Sequence, residues 1–97
     1  MALGIKWTPQ AEKGLDSVLF YLEKFWSIKE ILQLEENIKQ VTSLVILYPE
    51  LFPKSGTNQY LYKAIIDKNN YLVYRINTKM RRIEIVNLRG TKQKIKH

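Results

Sequence analysis

Two amphipathic stripes with only a capping box between them leave the first half of this chain little choice of fold. Ala11, Leu15, Val18, Leu22 and Phe25 recur at steps of four, three, four and three, with Glu12, Lys13, Asp16, Glu23 and Lys24 largely off that line. That is one buried face of a helix. Thr8 precedes it as an N-cap, and Pro9 stands at the first helical position, where its fixed φ and missing N–H cost nothing. Ser27-Ile28-Lys29-Glu30 then restarts the pattern at once. The serine and glutamate of such a box satisfy each other's backbone N–H groups, so a second helix begins here. Ile31, Leu34, Ile38, Val41, Val45 and Tyr48 give its apolar stripe, and Pro49 and Pro53 stop it near Leu47. Helices joined so directly pack as an antiparallel hairpin.

The second half changes period. After a loop over 49–58, in which Leu51 and Phe52 are expected to pin the chain to the core, three strands are predicted at Gln59–Ile66, Tyr71–Ile76 and Arg82–Leu88. The turns at Asp67-Lys68-Asn69-Asn70 and Asn77-Thr78-Lys79 are short enough to force antiparallel pairing. Ile5–Trp7 reads as a brief opening strand, and Gly90 to His97 as a basic, flexible tail. The whole is one α+β domain over 1–97, with no repeat. Alternation places Leu61, Lys63 and Ile65 on one face of the first of these strands and Tyr60, Tyr62, Ala64 and Ile66 on the other. Leu61 and Ile65, with Leu72, Tyr74 and Ile76, are taken as the surface under the helices. Tyr60, Tyr62, Tyr71 and Arg75 then fall on the open face, joined by Arg89 and Lys92.

Charge separates the halves. Residues 1–48 carry five lysines and six acids; residues 49–97 carry eleven Lys/Arg and three acids, a net charge of +8. A basic second half in a chain of net charge +7 points to an anionic partner. Other chemistries are thinly supplied. There is no cysteine, hence no disulfide and no thiolate metal site, and the single histidine is the last residue. The four glycines are scattered and form no phosphate loop. No carboxylate pair has the spacing of a glycosidase or metal site. No apolar run approaches the ~20 residues of a membrane span, and the opening Met1–Trp7 does not resemble a signal peptide. These points lead to the expectation of a cytoplasmic protein with no membrane partner, no metal and no cofactor.

What remains is tyrosine among cations. Such a sheet face stacks bases and neutralises phosphates, so Tyr60, Tyr62, Lys63 and Arg89 are candidates for nucleic-acid binding. Cleaving RNA through its own 2′-hydroxyl needs a base, an acid and charge stabilisation, without a metal. The catalytic candidates are Lys92, Arg75 and Tyr71.

Several landmarks, taken in order, resemble one family. Trp7-Thr8-Pro9-Gln10-Ala11, the helical hairpin, Tyr48-Pro49-Glu50-Leu51-Phe52-Pro53-Lys54-Ser55, Lys63-Ala64-Ile65-Ile66, Tyr71-Leu72-Val73-Tyr74-Arg75-Ile76 and Thr91-Lys92-Gln93 look like the RelE/ParE superfamily of type II toxin–antitoxin toxins. The resemblance implies a β-α-α-β-β-β fold and neutralisation by a co-encoded antitoxin that wraps the toxin. Two targets stay open. RelE-like members cleave mRNA in the ribosome, whereas ParE-like members poison DNA gyrase. Aligned on these motifs, the two strand lysines of RelE-like enzymes fall at Tyr62 and Ala64, a strand arginine at Tyr71 and a late arginine at Lys92. Their C-terminal tyrosine has no counterpart.

Overall fold

The computed structural model describes residues 3–56 and 58–90. Strand β1 (Gly4–Trp7) leads into helix α1 (Pro9–Phe25), and helix α2 (Ile28–Leu47) follows after Trp26 and Ser27. The caps act as the sequence indicates. The Thr8 hydroxyl accepts from the Ala11 N–H at 3.2 Å. Ser27 and Glu30 form the capping box, the Glu30 carboxylate accepting from the Ser27 N–H at 3.1 Å and from its hydroxyl. These hydrogen bonds hold the Glu30 carboxyl below the usual carboxylate range.

Strands β2 (Lys54–Ser55), β3 (Asn58–Asp67), β4 (Asn70–Asn77) and β5 (Arg82–Gly90) complete one five-stranded sheet in the order β1-β5-β4-β3-β2. The three predicted strands are its centre. Two short strands widen it: β2, within the segment read as loop, lies antiparallel to β3, and β1 lies parallel to β5. The last strand also runs further than predicted, through Arg89 and Gly90.

Both helices cover one face. Val18, Leu34, Ile38, Val41 and Val45 bury against Tyr62, Ala64, Leu72, Tyr74, Ile83, Ile85 and Leu88. Full burial of an aliphatic side chain of this size contributes about 1.5–3 kcal/mol. Helix α1 approaches β5 so closely at Gly14 that a Cβ there would lie 2.3 Å from the Leu88 carbonyl oxygen. Only glycine fits that contact. Tyr74 is fully buried, stacks on Tyr62 with ring centroids 5.1 Å apart, and donates to the Pro49 carbonyl at 2.6 Å. Burial pushes its phenol up to about 12. This bond ties the segment after α2 to the sheet.

The β3 faces are the reverse of the sequence expectation. Tyr62, Ala64 and Ile66 are buried, whereas Ile65 is 56% exposed. Cross-strand pairing of Tyr62 with Tyr74 and of Ala64 with Leu72 fixes this register. Residues directly opposite each other share a face, so Leu61, Lys63 and Ile65 belong with Tyr71, Val73 and Arg75. The helices need close-packed apolar partners, and the Tyr62–Ala64–Ile66 row supplies three, with the small Ala64 at its middle. The alternative row carries a lysine at its centre.

Candidate nucleic-acid interface

The face of the sheet away from the helices is built from three strands in register. Tyr71 of β4 stands between Ile65 of β3 and Arg89 of β5; one row further, Val73 stands between Lys63 and Asn87; then Arg75 faces Glu84, and Asn77 faces Arg82. A bulge makes this possible. Val73 pairs with Asn87 but Tyr74 with Ile85, so Val86 is an extra residue in β5. An inserted residue shifts the alternation by one. Ile83, Ile85 and Leu88 can therefore all be buried while Glu84, Asn87 and Arg89 all turn to the open face. The Thr8 hydroxyl donates to the Ile85 carbonyl at 2.8 Å and lies 3.2 Å from the Val86 carbonyl. The cap of α1 is thus also a clasp on the bulge.

Two cationic groups occupy this face. In the first, the Lys63 ammonium sits 4.3 Å from the centre of the Tyr71 ring, and Arg89 lies directly across from Tyr71 on β5. Tyr71 and Lys63 are half-buried and Arg89 is exposed. In the second, Glu84 accepts from Arg75 Nε at 2.6 Å, Arg82 Nε at 2.9 Å and Asn77 Nδ2 at 2.9 Å. Glu84 is only 4% exposed. The Arg75 hydrogen bond first, then Asn77 and Arg82, hold its carboxyl down to about 2.

The candidates from sequence divide accordingly. Lys63, Tyr71 and Arg89 are brought together, Lys63 now on the open side rather than beneath the helices. Tyr62 is not part of the face: it is a core residue, with the Lys54 ammonium 5.0 Å from its ring centre. Tyr60 is 81% exposed, but strand alternation places it on the Tyr62 side. Arg75 is on the open face, bound to Glu84, so it is not a free cation. Lys92 lies outside the described residues, as do Thr91, Gln93 and His97. Glu84 is the functional-face residue that sequence reading passed over. The available signal was an acid alternating with Ile83 and Ile85 in a strand otherwise rich in cations.

Among the described residues, no three His, Cys, Asp or Glu side chains gather as metal ligands. No helix among them is long and apolar enough to cross a membrane. In residue type the set is suited to holding phosphates and stacking a ring.

The fold is the RelE-like α+β fold. Solved structures of toxins share it over more than nine-tenths of the chain. They include isolated Escherichia coli RelE (TM-score 0.65, 16% identity, 94% of this chain and 86% of that one) and the Staphylococcus aureus YoeB dimer (0.64, 16%, 92% and 97%). The RelBE2 toxin–antitoxin complex of Mycobacterium tuberculosis matches with TM-score 0.65 at 11% identity, covering 93% of this chain and 99% of that one. No family model matches the sequence, and no curated protein matches it.

Proposed function

We propose that this chain is the toxin of a type II toxin–antitoxin pair, that it acts on RNA by metal-independent, ribosome-associated mRNA cleavage, and that a co-encoded antitoxin neutralises it. The observation that carries this reading is the Lys63–Tyr71–Arg89 group on the one sheet face the helices leave open. Tyr71 offers a ring for stacking, with the Lys63 ammonium over one face of that ring and Arg89 across from it on β5, both close enough to meet phosphates of the same strand. Attack of a 2′-hydroxyl on the adjacent phosphate forms the O2′–P bond as the P–O5′ bond breaks; the hydroxyl loses its proton, the leaving 5′-oxygen gains one, a 2′,3′-cyclic phosphate and a 5′-hydroxyl result, and charge builds on the phosphate oxygens on the way. Lys63 and Arg89 are placed to stabilise that charge, and a well-placed group of this kind is worth ~2.7–4 kcal/mol in the transition state. The alignment that put the family's strand lysines at Tyr62 and Ala64 falls on core-facing positions. Lys63, between them, is the cation this face presents.

A second reading is occupation of DNA gyrase without cleavage. It is favoured by the exposed apolar side chains at the hairpin end, Phe20, Phe25, Trp26, Ile28 and Leu32, each more than half exposed. Large exposed apolar side chains mark protein contact surfaces when they cluster.

Induced expression with two readouts separates the readings. The RNA reading expects transcripts cut within translated codons and unchanged DNA supercoiling. Intact transcripts with gyrase-linked DNA breaks would replace it by the second reading. Neither activity, with tight antitoxin binding, would mean a toxin fold without a poison.

A further inference from the structure

The second cationic group of the open face has a construction the first lacks. Arg75 and Arg82 flank one carboxylate, and both ion pairs close through Nε, at 2.6 and 2.9 Å. Nε is the nitrogen nearest the side-chain stem; the two terminal nitrogens extend beyond it. The Arg75 side chain is 51% exposed and that of Arg82 31%, whereas that of Glu84 is 5% exposed. The carboxylate therefore lies beneath its arginines. It cancels one of their two charges and leaves the group at +1. It also fixes two planar forks that would otherwise be mobile, and a guanidinium held this way loses less freedom on gripping an oxyanion. Asn77, which faces Arg82 across the strands, donates to the same carboxylate oxygen as Arg82, Oε2, while Arg75 holds Oε1.

We propose that Arg75 and Arg82, buttressed by Glu84, hold a backbone phosphate of the strand whose base is at Tyr71. This rests on the RNA reading above. Tyr71 and Arg75 lie on one face of β4 four residues apart, about 13 Å along the strand. A short stretch of single-stranded RNA covers that span. The face thus has a stacking end at Tyr71, Lys63 and Arg89, and an anchoring end at Arg75 and Arg82. The anchor fixes the register of the strand on the sheet.

The test is the salt dependence of binding to a single-stranded RNA oligonucleotide, read by fluorescence anisotropy on the full chain. Each phosphate contact on a single strand contributes about 0.7 to the slope of log affinity against log salt. Arg75→Gln and Arg82→Gln should each weaken binding and reduce the slope by about 0.7. Lys79→Gln removes a charge from the exposed β4–β5 turn and should leave the slope unchanged. Arg75→Lys keeps the charge but loses the fork; it should keep the slope while binding weakens several-fold. It decides the matter if a glutamine variant fails to fold. An unchanged slope in folded Arg75→Gln and Arg82→Gln, or an equal loss in Lys79→Gln, overturns the anchor while leaving the RNA reading standing. Full affinity in Arg75→Lys also overturns it. No RNA binding by the unaltered chain overturns both.

Discussion

Glu84 shows how one residue can set the electrostatics of a whole face. Its carboxyl is held near 2 by Arg75, Asn77 and Arg82, against an ordinary value of 4.5 in an unfolded chain. The folded state therefore binds the proton less readily than the unfolded state. The stabilisation from this group is fully present above about pH 4.5 and is lost as pH falls through about 2. Urea midpoints of the unaltered chain and Glu84→Gln should differ clearly at pH 7 and converge towards pH 2. A difference independent of pH would mean that the carboxylate is not the source. Gly14 acts at the same scale by steric means. Gly14→Ala would drive a methyl into the Leu88 carbonyl, so α1 must shift or β5 must bend. Overpacking of this kind costs about 1–3 kcal/mol, and a thermal melt should show the midpoint fall.

Among the elements, the helical hairpin was the most legible in sequence, because its signals are local. Caps, a 3.6-residue period and two prolines all act within a few residues of the helix they define. Ser27→Ala should lower stability by about 1 kcal/mol through the capping box. Ile38→Pro should cost ~3 kcal/mol or more by breaking α2 at a buried position. Thermal melts of the two variants check this; a harmless proline at 38 would remove α2 from the account. The strands were legible as segments but not in their facing. Period-two alternation in β3 gives two rows, and both carry aliphatic residues: Leu61 and Ile65 in one, Ala64 and Ile66 in the other. Composition within the strand cannot choose between them. The choice is made by pairing with β4 and by the helices above, which are long-range contacts. The same limit hid the bulge at Val86. Simple alternation from Ile83 would bury Asn87 and Arg89 and expose Leu88, and only the Thr8 clasp and the β4 register show otherwise. Strand β2 has just two residues and no pattern of its own. The cationic side of the site was legible by charge, since the basic excess lies in the sheet half. Its internal division was not. Which arginine is free and which is bound to Glu84 depends on cross-strand neighbours.

At the scale of the whole molecule, the chain has two unlike surfaces. The helical half is near neutral with large exposed apolar side chains, and the sheet half is strongly basic. On the proposed toxin reading, an antitoxin that wraps the chain would meet both. If an acidic segment covers the sheet, its affinity should weaken as salt rises, because exposed charges are screened beyond ~10 Å at 0.1 M. Titration of a co-encoded antitoxin of the proposed kind at two salt concentrations measures this, and equal affinities would assign the complex to apolar burial on the hairpin. The toxin reading itself is tested most directly by growth after induction of the unaltered chain and of a Lys63→Ala/Arg89→Ala variant whose melt shows an intact fold. Arrest is expected from the first and growth from the second, because the open face loses the two cations beside Tyr71. Arrest of equal strength from both would contradict it and move the poison off the sheet.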